Sequence, residues 1–195
     1  MQHRELYRSI VPADAHIITY SDLAKASTCA AAKRIASSIY YKIDDNYSSE
    51  VMKRGTEAHK IKEAELSDRW DNEVRLAYKM DGDYYLTGTI DRYYKIGIVE
   101  DFKTTVSPAS SYMKTSQIET YAFLAMNNDL MVNSGIYTTI NEKGEALDGD
   151  GIDIYASTVV HCYSTFILPR FNMIKKEIER LRYQYVGEPN TSDPE

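Results

Sequence analysis

The segment that decides the fold is Gly97-Ile98-Val99-Glu100-Asp101-Phe102-Lys103-Thr104-Thr105, in which an apolar run enters a charged end. Successive side chains of an extended strand point to opposite faces, so Asp101 and Lys103 share one face while Phe102 lies on the other. The pattern therefore predicts a strand that presents a carboxylate and an ammonium side by side. Such pairs are common on protein surfaces, and this pair alone does not identify a site.

A second carboxylate precedes this segment, at the end of Gly88-Thr89-Ile90-Asp91. From Glu73 onward apolar and polar residues alternate with period two, and the turn residues 81–83 interrupt the alternation. We expect a β-hairpin here, followed by one or two further strands in a sheet at least three strands wide. Asp91 would end the strand before Asp101, and the two carboxylates would form an oxygen-rich site suited to Mg²⁺ or Mn²⁺.

Helical patterns flank the predicted sheet. The expected helices run from Thr19 to Lys42 with Ser21 as N-cap, from 51 to 66 after Ser48 or Ser49, from Ser110 or Ser111 to about Asn127, and from Phe171 to Tyr185. Between the last two helices we expect strands over Leu130–Ile140 and Ile152–Ile167, joined by a polar turn over Asn141–Gly151. Helices around a meandering sheet indicate a mixed α/β domain.

The composition narrows the class of protein. With 195 residues, 43% of them apolar, the chain is long enough for one buried core. A net charge of −6 argues against a protein that coats nucleic acid through bulk positive charge, although a carboxylate metal site is compatible with it. The chain has two distant cysteines and no apolar run of membrane-spanning length, and because no apolar run follows the first residues we expect no secretory signal. We therefore expect a reduced, soluble protein with no membrane partner.

Four short motifs follow one another along the chain: Gly55-x-x-x-His59, Gly88-x-x-Asp91, Asp101-x-Lys103 and Gln117-x-x-x-Tyr121. In this order they resemble the motif series of the RecB-like branch of the PD-(D/E)xK nucleases, and within it the CRISPR-associated and viral RecB-like exonucleases. The resemblance extends from Tyr20 to about Asn190. It implies a restriction-endonuclease-like α/β core with a mixed central sheet flanked by helices. Residues 1–186 would form a single nuclease domain and 187–195 a polar tail.

The resemblance also implies a role for each motif residue. Four groups would bind Mg²⁺ or Mn²⁺: His59, Asp91, Asp101 and the main-chain carbonyl of Phe102. Lys103 would position or deprotonate the attacking water, because an ammonium faces the negative charge that develops during hydrolysis. Gln117 and Tyr121, one helical turn apart, would hold Lys103 or the scissile phosphate. His59 would reach the metal if its helix packs across the sheet edge, with Gly55 permitting a close approach.

The implied activity is metal-dependent hydrolysis of DNA to 5′-phosphate and 3′-hydroxyl products. An exonuclease acting on single strands or DNA ends is the leading form, with endonuclease activity left open. A catalytically silent DNA-binding or assembly protein on the same fold is the alternative, which the intact Asp91, Asp101 and Lys103 argue against. A small-ligand α/β protein would need a glycine-rich phosphate loop, and the sequence contains none.

The opening helix of this family is similar to Tyr20-Ser21-x-Leu23 followed by Cys29, and its cysteine is the first ligand of an iron–sulfur cluster. The family places three more cysteines after its last helix, whereas residues 187–195 contain none and only Cys162 remains. Four thiolates usually hold such a cluster. We therefore expect no iron–sulfur cluster, and we expect both cysteines to be buried as small apolar residues.

The expected partners are DNA and a recombination, replication or CRISPR-adaptation protein, in the cytoplasm of a prokaryotic cell or a virus-infected host cell, and a homo-oligomer is left open. Phosphates would be contacted by a set of basic side chains: Lys53, Arg54, Lys60, Lys62, Arg92 and Lys114. Bases would stack on a set of tyrosines: Tyr84, Tyr85, Tyr93, Tyr94 and Tyr112. Glu57 and Glu73 are outside candidates for the metal site, and Glu100 should face away from it. Asp148, Asp150 and Asp153 are expected in a hairpin turn rather than a calcium loop.

Overall fold

The computed structural model describes residues 11–43, 50–104 and 107–186. Its strands are β1 (His16–Thr19), β2 (Trp70–Asp81), β3 (Tyr84–Tyr94), β4 (Ile98–Thr104), β5 (Ser134–Ile140) and β6 (Ala146–Asp153). Its α-helices are α1 (Tyr20–Lys25), α2 (Cys29–Tyr40), α3 (Glu50–Glu63), α4 (Gln117–Met126), α5 (Ala156–Cys162) and α6 (Leu168–Val186). A 3₁₀ turn, Ala109–Tyr112, precedes α4, and a π-helical stretch, Tyr163–Ile167, joins α5 to α6.

Strand β3 is the hub of a mixed sheet. The hairpin predicted around residues 81–83 is confirmed, and β2 pairs with β3 along one side. On the other side, β1 pairs with β3 in parallel as far as Thr87, and β4 pairs with it in antiparallel fashion from Arg92 onward. Between these two residues, no strand of the described chain pairs with this side of β3. We call this gap the sheet split, and the candidate site lies at it.

The two faces of β4 pack against different helices. Val99, on the face of Asp101, belongs to the main hydrophobic core together with Ile118 of α4 and Ile174 of α6. Phe102, on the opposite face, forms a smaller core with Ala58 of α3 and Ile140 of β5. Helix α4 is therefore positioned to contact Asp101, while α3 approaches from the other side of the strand.

Two glycines allow α4 to lie close to the sheet. A Cβ on Gly135 would lie 2.0 Å from Cγ2 of Ile118, and one on Gly88 would lie 2.8 Å from Cδ1 of Leu124. Neither contact is compatible with ordinary packing, so these positions need a residue without a side chain. The register of α4, and hence of Gln117 at its start, depends on this close approach.

The predicted helix from Thr19 to Lys42 is two helices. Thr19, and not Ser21, is the first N-cap, since its hydroxyl accepts from the Asp22 N–H at 3.2 Å in a capping box. Thr28 caps α2 in the same way through the N–H of Ala31. The second cap interrupts the helical path, because an N-cap residue adopts extended rather than helical dihedrals. The proposed caps Ser48 and Ser49 lie outside the described residues, as does the tail 187–195.

The prediction of strands over Ile152–Ile167 is wrong beyond the end of β6. From Ala156 the chain is helical to Val186, and Val159, Cys162 and Ile167 are buried on one side of it. The prediction followed β-branched and aromatic residues, whose strand preference is overridden here by packing at helical spacing. The π-helical stretch leads into Pro169, which lacks an N–H for the helical ladder. The helix predicted over 171–185 is confirmed as part of α6.

Two further boundaries differ from the expectation. The helix predicted from Ser110 or Ser111 begins only at Gln117, because Ser116 has a left-handed φ of 58° that interrupts the path. Asp148, Asp150 and Asp153 lie on strand β6 and not in the turn, which is confined to the residues before Ala146. None of the helices in the described ranges combines the length and the apolar character needed to cross a bilayer.

Candidate active site

Strand β4 supplies the first half of the site. Oδ2 of Asp101 lies 2.7 Å from Nζ of Lys103, so the two side chains share a face as the alternation predicts. Asp101 is only 2% exposed. Glu100 points to the other face, where its carboxylate accepts hydrogen bonds from Thr138 at 2.6 Å and from Tyr94 at 2.9 Å. The strand thus presents one buried ion pair toward α4.

Asp91 supplies the second carboxylate, but from the interior of β3 and not from its end. Its Oδ2 accepts the N–H of Phe102 at 2.7 Å, in the sheet split where β3 and β4 no longer pair. The side chain therefore satisfies a main-chain donor that a strand partner would otherwise satisfy. The strict alternation of side chains is interrupted here, because Ile90 and Tyr93 are three residues apart and yet both lie in the main core.

The two carboxylates influence each other. Burial raises the pKa of Asp91, and it also raises the pKa of Asp101, which the charge of Asp91 raises further. The ammonium of Lys103 opposes both shifts. Two buried negative charges repel each other, so an added positive charge at this point would be favourable.

Helix α3 brings His59 to the carboxylates from the other side of β4. Its Nδ1 lies 3.6 Å from Oδ2 of Asp91, and its ring meets that of Phe102 edge-on, with centroids 6.2 Å apart. Burial lowers the pKa of His59, although the charge of Asp101 raises it. The imidazole is therefore neutral at neutral pH, the form that binds metals. A Cβ on Gly55 would make only an ordinary contact with Thr104 at 3.7 Å, so the close approach expected of this glycine is not required.

Helix α4 brings Gln117, whose amide joins the other side chains. Its Nε2 donates to Oδ1 of Asp101 at 2.7 Å and to the hydroxyl of Tyr121 at 2.9 Å. Its Oε1 accepts from Nζ of Lys103 at 2.8 Å. Gln117 thus holds both members of the ion pair, and Tyr121 holds Gln117. The structure brings every predicted site residue together from α3, β3, β4 and α4.

The donor set fits a divalent cation by its chemistry. Asp101 Oδ2 is buried without a hydrogen bond of good geometry, its close contact being the Lys103 ammonium. Carboxylates, a main-chain carbonyl and a neutral imidazole are suitable ligands for Mg²⁺ or Mn²⁺. Across residues 11–43, 50–104 and 107–186, however, no three His, Cys, Asp or Glu side chains converge in a coordinating arrangement. The groups that could hold such a cation are the Asp91 and Asp101 carboxylates and the Phe102 carbonyl, with the His59 imidazole as a further candidate.

One acidic residue near the site was not predicted. Glu63 lies one turn after His59 on α3, and its charge acts on both His59 and Asp91. Burial raises the pKa of Glu63, and Glu73 on β2 raises it further. The i, i+4 spacing of His59 and Glu63 on a predicted helix was the signal that could have identified it. Glu57, in contrast, is exposed and pairs with Lys60 at 2.9 Å.

Arg92, expected to contact phosphate, is instead buried in a structural cluster that we call the Arg92 clamp. Its guanidinium lies over the rings of Trp70 (4.6 Å) and Phe102 (5.1 Å). It donates to the Lys62 carbonyl and to Oε2 of Glu65, both at 2.9 Å, and to Oδ1 of Asn72 at 3.0 Å. Asn72 in turn donates to the Glu63 and Glu65 carbonyls. The clamp thus fastens the C-terminal end of α3 to the sheet.

Most other residues expected to contact DNA are engaged elsewhere. Lys62 pairs with Glu65 at 2.8 Å, and the side chains of Lys53 and Arg54 lie outside the described residues. Tyr84, Tyr85 and Tyr93 are buried and offer no free stacking face. Lys114 is exposed, and Tyr112 is half-buried with its ring 5.6 Å from the Lys103 ammonium.

The two cysteines differ from each other. Cys29 is exposed at the start of α2, which contradicts the expectation that it is buried. Cys162 is buried beside the Thr120 hydroxyl at 3.9 Å, as expected, and burial raises the pKa of its thiol to about 11. A thiol with such a pKa stays protonated at neutral pH and is a poor metal ligand.

A cleft of about 570 Å³ adjoins the site and runs along the sheet split. We call it the α1 cleft, and it is lined by Thr19, Tyr20, Ser21, Ala24, Lys25, Arg75, Thr87, Gly88, Thr89, Gln117 and Tyr121. Because Gln117 lines the cleft and also bonds Asp101 and Lys103, the inner end of the cleft lies beside the ion pair.

The same arrangement of strands and helices occurs in solved nuclease structures. The alkaline exonuclease LHK-Exo from Laribacter hongkongensis superposes with a TM-score of 0.55 at 12% identity, over 89% of this chain and 95% of that one. LHK-Exo in complex with dAMP gives 0.57 at 13% identity, over 87% and 93% of the two chains. The chain has the restriction-endonuclease-like fold.

A third structure with this fold is that of SSO0001, which matches with a TM-score of 0.55 at 18% identity, over 85% of this chain and 81% of that one. No protein-family model and no curated protein matches the sequence. At these identities the restriction-endonuclease-like fold is shared, and the chemistry has to be argued from the side chains described above.

Proposed function

We propose that the protein is a divalent-metal-dependent deoxyribonuclease of the RecB-like PD-(D/E)xK type. The observation that carries the proposal is a pair of adjoining contact sets on a restriction-endonuclease-like fold: His59 beside Asp91, and Asp101 in contact with both Lys103 and Gln117. The substrate would be single-stranded DNA or DNA ends. The products would carry 5′-phosphate and 3′-hydroxyl groups, because water attacks phosphorus and the bond to O3′ breaks.

Each residue of the proposed site has a separate role. Asp91, Asp101, the Phe102 carbonyl and His59 would hold Mg²⁺ or Mn²⁺, which when bound supplies an activated water and neutralises the phosphate. The Lys103 ammonium is paired with Asp101 at 2.7 Å. An ammonium has no lone pair that could accept a proton, so Lys103 would position water and phosphate rather than remove a proton. Gln117 holds Lys103 in place for this role.

A digestion of end-labelled DNA tests the proposal. Single-stranded and duplex substrates are incubated with Mg²⁺, Mn²⁺ or EDTA, using the wild type, Asp101→Ala and Lys103→Ala. Asp153→Ala, on the exposed face of β6, is the matched control. Cleavage should require metal and fall by roughly 10²- to 10⁴-fold in the two site variants. Metal-independent cleavage, or full activity in Asp101→Ala, would contradict the proposed chemistry.

The catalytically silent alternative makes the opposite prediction for the same assay. A DNA-binding protein on this fold would retain labelled DNA without shortening it at any metal concentration. The intact ion pair and the two buried carboxylates argue against that reading, because burying carboxylates this close to each other is costly.

A further inference from the structure

The α1 cleft differs in charge from the chain as a whole. The chain carries 29 acidic residues against 23 lysines and arginines, yet no Asp or Glu lines the cleft. Two cations, Lys25 from α1 and Arg75 from β2, line it. Both are exposed, and neither forms an ion pair with the described part of the chain. Two exposed cations in a concave site without carboxylates favour an anionic ligand.

The position of the cleft indicates which anion it takes. At its inner end are Gln117 and Tyr121, and Gln117 bonds both Asp101 and Lys103. Along its length are hydroxyls, including those of Thr87 and Thr89 at the sheet split, and the ring of Tyr20. An extended polyanion in the cleft would therefore reach the candidate catalytic pair, with hydroxyl donors beside its backbone.

The dimensions favour one strand over two. A volume of about 570 Å³ lies within the roughly 300–1,000 Å³ range of small-ligand sites. Asp101, which the scissile phosphate must approach, is 2% exposed. A stiff duplex would have to bend to bring one phosphate to a buried carboxylate, whereas a flexible single strand would not. 

We infer that the α1 cleft binds the backbone of a single DNA strand, with Lys25 and Arg75 each contacting a phosphate, and that duplex DNA does not enter it. This inference rests on the proposed nuclease function and assigns its substrate path. Tyr20 and the cleft hydroxyls would contribute stacking and hydrogen bonds that do not depend on base identity.

The test is the binding of fluorescein-labelled dT12, measured by fluorescence anisotropy in EDTA so that no cleavage occurs. Arg75→Ala is compared with Lys79→Ala, which removes an exposed cation from the same strand outside the cleft, and Lys25→Ala with Lys33→Ala on α2. Each cleft variant should raise Kd roughly tenfold, as expected for one charge-assisted hydrogen bond. It should also reduce the slope of log K against log salt by about 0.7. The two controls should match the wild type.

Three results would overturn the inference: no binding of dT12, equal effects of cleft and control variants, or equally effective competition by a blunt duplex of the same length. The two proposals fail separately. Strand binding that depends on Arg75, without cleavage in Mg²⁺ or Mn²⁺, would refute the nuclease and leave the cleft assignment. Metal-dependent cleavage combined with an unchanged dT12 affinity in Arg75→Ala would refute the cleft assignment and leave the nuclease.

Discussion

The amide of Gln117 has only one workable orientation. An ammonium has no acceptor, so the amide oxygen must face Lys103, and an ionised carboxylate has no donor, so the amide nitrogen must face Asp101. Both hydrogen bonds involve a charged partner and are therefore stronger than neutral ones. The residue keeps two opposite charges at a defined spacing while its own side chain stays neutral.

Replacing Gln117 should therefore cost more than removing the Tyr121 hydroxyl. In Gln117→Leu, Asp101 and Lys103 each lose one hydrogen-bond partner in a buried site. We therefore expect the free energy of unfolding to fall by about 1–3 kcal/mol. Tyr121→Phe removes one neutral hydrogen bond and should cost about 1 kcal/mol or less. Urea unfolding measures both, and kcat should fall in the same order. Equal effects of the two changes would show that Gln117 does not hold the pair.

In the proposed metal site, His59 would be the ligand whose contribution depends on pH near neutrality. We expect His59→Ala to weaken Mn²⁺ binding at pH 8, because imidazole suits Mn²⁺ better than Mg²⁺. Protonation abolishes coordination, and burial lowers the pKa of this histidine below its usual 6.5. The difference between wild type and variant should therefore persist at pH 6.5 and disappear only at lower pH. Calorimetric titrations with Mn²⁺ measure it, and equal affinities at pH 8 would remove His59 from the metal site.

At the scale of elements, α3 depends on the Arg92 clamp for its position. The last carbonyls of a helix lack intrahelical donors, and here Arg92 and Asn72 supply them from the sheet. Because Arg92 follows Asp91 in β3, the strand that carries a carboxylate also fixes the helix that carries His59. The relative position of the two side chains is thus set by adjacent residues.

Arg92→Lys should loosen this arrangement, because a single ammonium cannot replace a planar fork with several donors. We expect a destabilisation of about 2–4 kcal/mol, near the cost of breaking a buried charged network. Mn²⁺ affinity should fall as well. Arg69→Lys makes the same change at an exposed arginine that directly precedes Trp70, and it is the control. In the double variant with His59→Ala, Mn²⁺ affinity should equal that of His59→Ala alone, and a further loss would mean that Arg92 acts on the metal site by another route.

The sequence predicted some elements and failed on others for physical reasons. The alternation at Asp101 and Lys103 was sufficient because both faces of β4 are covered by helices, so every side chain has a defined side. The same alternation pattern predicted that Asp91 ends a strand. In the structure β3 continues for three residues beyond it, to Tyr94. Arg92 illustrates the general difficulty, since a basic residue beside a site gives no sign in the sequence of whether it faces ligand or core.

For the whole molecule, the carboxylate pair would link the proposed metal binding to stability. Burial raises the pKa of Asp91 and Asp101 above the unfolded values, so the folded state favours their protonated forms. The resulting cost is absent below about pH 3.9 and complete above the folded pKa values. Without metal, this pair therefore makes the protein less stable at pH 8 than at pH 5.

Mn²⁺ should accordingly raise the melting temperature more at pH 8 than at pH 5. At a free concentration of about 100 times Kd, binding contributes about 2.7 kcal/mol. The shift should vanish in Asp101→Ala and persist in Asp153→Ala, as measured by differential scanning calorimetry. An equal shift in both variants would place the stabilising ion elsewhere on the molecule.

The unequal exposure of the two cysteines makes the protein convenient for spectroscopy. A maleimide dye should react with Cys29 and leave the protonated, buried Cys162 unmodified, which gives singly labelled protein without mutagenesis. Cys29 lies four residues after Lys25, so the dye would be attached near one wall of the α1 cleft. Its emission then offers a real-time signal for a strand entering or leaving, independent of any label on the DNA.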